Sequence, residues 1–156
     1  MPELDPLAKM ILDEAVRGLD MQSETLNELR SRTGVLIAAA TVASALLGAT
    51  ALERHPVTYG VNLAALCVFG VVIFFCLCVL WPSDRWAFVY NAKVLDETYF
   101  EKRVDPTQAC RSMALGHAKH RDSNKDKLKW RFVFFRIALA ALTADVVLWL
   151  VSIGVR

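Results

Sequence analysis

Three stretches of the chain are almost continuously apolar, and polar residues fill most of the rest. Residues 34–52 run for 19 positions and residues 61–81 for 21 positions without a charge, and residues 132–155 run for 24 with only Arg136 and Asp145. Crossing a bilayer takes roughly 20 apolar helical residues, so each stretch is long enough to span one. The pattern predicts an all-α membrane protein with three transmembrane helices. Its segments are a polar helix (1–33), span one (34–52), a short turn (53–60), span two (61–81), a polar insert and helix (82–131) and span three (132–155).

The polar segments flanking spans one and three carry helical signals of their own. Asp5-Pro6 places an N-cap aspartate before a proline in the first helical position, and Asp105-Pro106 repeats the arrangement. Leu12, Val16, Leu19, Leu26 and Leu29 recur at helical spacing, with Asp13/Arg17 and Glu28/Arg32 as four-apart ion pairs. Residues 6–52 are therefore predicted to form one long helix whose second half is span one, with Gly18 as its weakest point. Residues 106–155 form a second, whose last half is span three. Pro82 ends span two. Trp86, Phe88 and Tyr90 alternate as in a short strand or an interfacial aromatic segment, and Asn91 can cap a short helix carrying Val94, Leu95, Tyr99 and Phe100.

Charge sets the expected orientation. Of the 18 Lys and Arg residues, fifteen lie in segments 1–33 and 82–131, and only Arg54 and Arg156 lie on the opposite side. The positive-inside rule places the N-terminus and the 82–131 segment in the cytoplasm, with the 53–60 turn and the C-terminus outside. The acid-rich opening does not resemble a cleavable leader. Segment 1–33 holds seven acids against four bases, and segment 82–131 eleven bases against seven acids. That opposition predicts packing between the two long cytoplasmic helices, within a subunit or between neighbours.

Composition is at 55% hydrophobic and 22% charged, which fits bunched apolar residues and not one soluble core. No phosphate-cradling glycine loop, nucleophile elbow or zinc-spaced Cys/His set is present, so no enzyme, cofactor or metal is expected. His117 and His120 sit three apart beside Lys119 and Arg121, which would repel a cation; both read as solvated helix surface. Cys76 and Cys78 read as small apolar filler.

The chemistry that remains is intramembrane. Asp145 stands near the middle of span three, where an acid costs about 2.5–3.5 kcal/mol, so it must face protein or water. It either lines an aqueous path or makes a structural hydrogen bond to Thr41, Ser44 or Thr50. Ser152 shares its helical face. Span one is rich in small residues, and Gly34, Ala40, Ser44 and Gly48 are its helix-packing candidates. Three spans are too few to enclose a pore, so a homo-oligomer is expected; otherwise the small face packs only on span three of its own chain. Lys119, Arg121, Lys125, Lys127, Lys129 and Arg131 precede span three as a basic cluster for anionic lipid or another anionic ligand. No nucleic-acid readout element accompanies them.

The layout resembles a known type. A polar helix entering a small-residue span (DMQSETLNELRSRTGVLIAAATVASALLGATAL), a second span ending in Trp-Pro, a compact insert and a basic helix entering the last span (KDKLKWRFVFFRIALAALTADVVLWLVSI) are similar to small bacterial membrane proteins of the SLATT and Pycsar-effector type. The resemblance implies a membrane-disrupting effector of an anti-phage or conflict system, triggered by a nucleotide signal or a soluble sensor protein. No nucleotide-binding module is recognisable in the chain. The alternative is a membrane-anchored scaffold whose cytoplasmic helices dock a soluble partner without pore activity.

Overall fold

In the computed structural model, residues 5–54, 59–82, 86, 96–100 and 104–154 are described. They form helix α1 (Pro6–Arg54), helix α2 (Tyr59–Leu80), a π-helical turn (Asp96–Phe100) and helix α3 (Pro106–Gly154). No strand occurs among the described residues. All three long helices carry a stretch apolar enough, over sufficient length, to cross a membrane. The strand-like alternation at Phe88 and Tyr90, the Asn91 cap with Val94 and Leu95, and residues 55–58 of the turn lie outside the described residues.

Both long helices start where the Asp-Pro pairs place them. The Asp5 carboxylate accepts the Leu7 amide at 2.9 Å, and the Asp105 carboxylate accepts the Gln108 amide at 3.1 Å. Each bond satisfies an amide that has no partner within the first turn. Gly18 does not break α1. It is buried, and a Cβ there would meet the Arg121 side chain at 3.2 Å, so its missing side chain serves close approach.

The chain divides into two compact units. The apolar unit comprises residues 28–82 and 129–156. Its buried positions recur every seven residues: Thr33 and Ala40 on α1; Ala65, Val72 and Val79 on α2; Arg131, Ala138, Asp145 and Ser152 on α3. A seven-residue repeat is 3.5 residues per turn, the period at which helices keep one seam in contact by coiling left-handedly. Leu36, Ala40, Val72, Cys76 and Ala138 form one core cluster, and Ala51, Ala65 and Trp149 form another. The opposite faces expose Val35, Leu46, Leu66, Phe74 and Leu150, as expected of helix surfaces that meet lipid.

The polar unit comprises residues 1–27 and 83–128. On α1 it buries Ala8, Leu19 and Leu26, and on α3 Ala109, Ala114, His117 and Asn124. The Gln22 side-chain amide donates to the Arg121 carbonyl at 3.0 Å, and the Asp5 amide donates to Thr107 Oγ1 at 3.3 Å. His117 is thus a core residue of this unit and not the solvated surface its polar neighbours suggest.

Candidate functional site

The apolar unit carries polar groups at three levels of its seam. At one end the Arg131 guanidinium, itself buried, donates to the carbonyls of Val79 and, at 2.8 Å, Trp81. These belong to the last turn of α2 and the residue after it, whose carbonyls have no partner within the helix, and a cation is favoured there by the helix dipole. At mid-height Ser44 Oγ donates to Asp145 Oδ2 at 2.6 Å. At the other end Ser152 Oγ donates to Asn62 Oδ1 at 2.5 Å.

Asp145 is the most demanding of these groups. It is 0% exposed, and its second oxygen, Oδ1, has no hydrogen-bond partner. One turn further, Trp149 is 2% exposed, and its indole Nε1 also lacks a partner. A buried polar atom without a partner costs about 1–3 kcal/mol. At this level the seam therefore holds two polar atoms, Asp145 Oδ1 and Trp149 Nε1, that neither lipid nor the packed chain satisfies. Of the three hydroxyls considered for Asp145, Ser44 is the one engaged. Thr41 and Thr50 instead donate to carbonyls four residues back on α1.

The small residues of span one divide between two faces. Ala40 is buried beside Ala138, Ser44 meets Asp145, and a Cβ on Gly48 would meet the Trp149 ring at 3.2 Å. Gly34 does not join this packing: it is exposed, with nothing within 4 Å of a Cβ position. Ala38, Thr41, Ala45 and Ala49 are exposed as well, and with Gly34 they form a small-residue stripe on the outside of α1.

The basic cluster also separates. Arg131 is buried as an internal cap, and Lys127 stands over the Trp86 ring at 5.6 Å. Arg121 covers Gly18, while Lys119, Lys125 and Lys129 are exposed. In the polar unit a groove of about 380 Å³ is lined by Ile11, Glu14, Ala15, Arg111, Ala114, Leu115, Ala118 and Arg121. Burial pushes the His117 imidazole below its ordinary pKa, His120 adds to this, and Asp20 opposes it.

Asn62 and Trp149 were not singled out from the sequence. Each had a signal: Asn62 is a polar residue inside a span, and Trp149 is four residues beyond Asp145 on the same helix. No family model, curated protein or solved structure matches this chain.

Proposed function

We propose that the protein is an oligomerising membrane effector that perturbs or permeabilises the bacterial inner membrane, in an anti-phage or conflict system of the kind its layout resembles. The observation that carries this reading is Asp145: a mid-span acid, fully buried, with one oxygen held by Ser44 and the other without a partner. A group of that kind destabilises the closed seam and gains solvation when the seam parts. Activation then separates α1 from α3 along Ala40, Ser44 and Gly48 and opens a leak past Asp145 and Ser152. Association of copies uses the outward stripe of Gly34, Ala38 and Ala45, where small residues let helices approach. The N-terminus faces the cytoplasm and the C-terminus the exterior, and the trigger is a nucleotide signal or a soluble sensor protein.

Dye release from liposomes tests the role of Asp145. Wild type is expected to leak once triggered and Asp145→Ala to stay closed; equal leak from both would exclude it. A scaffold reading is favoured by a different observation, the groove beside Ile11, Ala15 and Leu115, where Leu115 is 73% exposed. In that reading Leu115→Lys abolishes partner capture, and cells stay polarised on expression.

A further inference from the structure

The seam of the apolar unit has a regular register. Ser44 meets Asp145 and Gly48 meets Trp149, so residue n of α1 lies beside residue n+101 of α3. Two heptads before Ser44 is Arg30, and two heptads before Asp145 is Arg131. The position filled at mid-height by a hydroxyl and a carboxylate is filled here by two guanidinium groups. Burial, and after it repulsion from Arg30, disfavour the charged form of Arg131. Arg131 has its NH groups on the α2 carbonyls of Val79 and Trp81. Arg30, by contrast, has its Nε buried without any acceptor. The charge it faces across the seam is another cation, and a buried N–H donor is left over.

The surroundings place this pair at a particular level. Trp81, whose carbonyl accepts from Arg131, is 69% exposed, and Trp130, beside Arg131 in sequence, is 62% exposed. Exposed tryptophans at the ends of apolar helices sit at the headgroup level of a bilayer, where the ring is half in lipid and the N–H in water. Two guanidinium groups at that level match a phosphate, which accepts charge-assisted, paired N–H bonds and neutralises the repulsion between them.

We propose that Arg30 and Arg131 form a phosphate-binding site at the tryptophan-flanked end of the apolar unit. Its ligand is a phosphate group carried by an anionic lipid headgroup or by a soluble anion. The site is independent of any leak, since it acts on the closed bundle and requires no movement of Asp145.

Thermal unfolding of the full-length protein in neutral detergent, titrated with dioctanoyl phosphatidylglycerol, dioctanoylglycerol or inorganic phosphate, tests it. Phosphatidylglycerol is expected to raise Tm, and phosphate-free dioctanoylglycerol is not. If inorganic phosphate raises Tm to the same extent, the ligand is a soluble anion; if only the phospholipid does, it is a headgroup. In either case Arg30→Gln is expected to weaken the response at least tenfold, the scale of one lost charge-assisted hydrogen bond. Lys129→Gln, on an exposed neighbouring lysine, leaves it within twofold. Arg30→Lys, which keeps the charge without the planar fork, is expected to fall between, and it supplies the reading if Arg30→Gln does not fold. The proposal is overturned if Arg30→Gln, or Arg30→Lys in its place, responds as wild type does. Equal responses to dioctanoylglycerol and phosphatidylglycerol, or equal losses in Arg30→Gln and Lys129→Gln, also overturn it.

Discussion

In the apolar unit the polar side-chain contacts between helices are inside and many large apolar side chains face outward; in the polar unit the polar contacts between helices are exposed. Arg131, Asp145 and Ser152 are all buried on α3, while Val35, Leu46 and Phe74 face outward. In the polar unit the contacts of Gln22 with Arg121 and of Asp5 with Thr107 are exposed, although His117 and Asn124 are buried. Lipid is as apolar as leucine, so burying leucine within a bilayer brings little stabilisation, and packing and hydrogen bonds must choose the partners. Water rewards apolar burial instead. By that rule the exteriors also differ in meaning. An exposed Leu46 or Phe74 is ordinary in lipid, whereas the exposed Leu7, Met10, Met21 and Leu115 of the polar unit are a surface for something else to cover.

Substitutions that strike one unit and spare the other test this contrast, and hydrogen exchange resolved by segment locates their effects. The largest effect is expected from Trp149→Ala, which empties the core shared with Ala51 and Ala65 at a cost of about 3–5 kcal/mol. Exchange should rise in residues 34–52 and 132–154 and stay unchanged in residues 6–27. A rise spread evenly over the chain would break the division into units. Arg131→Gln comes next. It removes the charge-assisted bonds to Val79 and Trp81, costs about 1.5–3 kcal/mol and frays the end of α2.

Glycines sharpen the comparison between the faces of one helix. Gly48→Ala pushes a methyl against the Trp149 ring and is expected to lower stability by about 1–2 kcal/mol. Within one copy Gly34→Ala meets open space, so in the dissociated protein it is expected to gain about 0.5–1 kcal/mol from helix propensity. Detergent-resistant unfolding of the two variants should therefore shift in opposite directions; equal losses would place Gly34 in a packed contact. In the polar unit Lys127→Ala gives up its position over the Trp86 ring, for about 0.5–1 kcal/mol.

The smallest effect is the pH response of His117. Burial lowers its pKa in the folded protein, so its neutral form is favoured there. The contribution is complete above about pH 6.5 and is lost as pH falls through the lower folded value. Once corrected for the intrinsic base-catalysed rate, protection in residues 6–27 and 106–128 should therefore fall between pH 7.5 and 5.5. His117→Gln should flatten that response, and residues 132–154 should show none of it.

Much of the architecture was legible in the chain. Charge-free runs of spanning length fixed the three apolar helices, and Asp5-Pro6 and Asp105-Pro106 fixed where two of them begin. Small residues at Ala40, Ser44 and Gly48 marked the face of α1 that α3 packs against. The reading failed at Gly18, where a glycine inside a helix signals either weakness or close approach, and only the position of Arg121 separates the two. At Gly34 it could not tell the faces apart, because a small residue marks two kinds of helix face, packed within the chain and open. It failed at His117 because its neighbours Lys119 and Arg121 are polar, while burial follows the seven-residue spacing from His117 through Asn124 to Arg131.

The sequence alone determined which segments suit lipid and which suit water, because solvent preference belongs to individual side chains and adds along a run. It also determined that Asp145 needs a partner, because the cost of a mid-span acid does not depend on which helix it meets. Tertiary structure decided that the partner is Ser44 and not Thr41 or Thr50, and that Asn62 answers Ser152. It also decided that Arg30 falls beside Arg131. Those outcomes depend on the register between helices separated by about one hundred residues, and a shift of a single position replaces every contact along the seam.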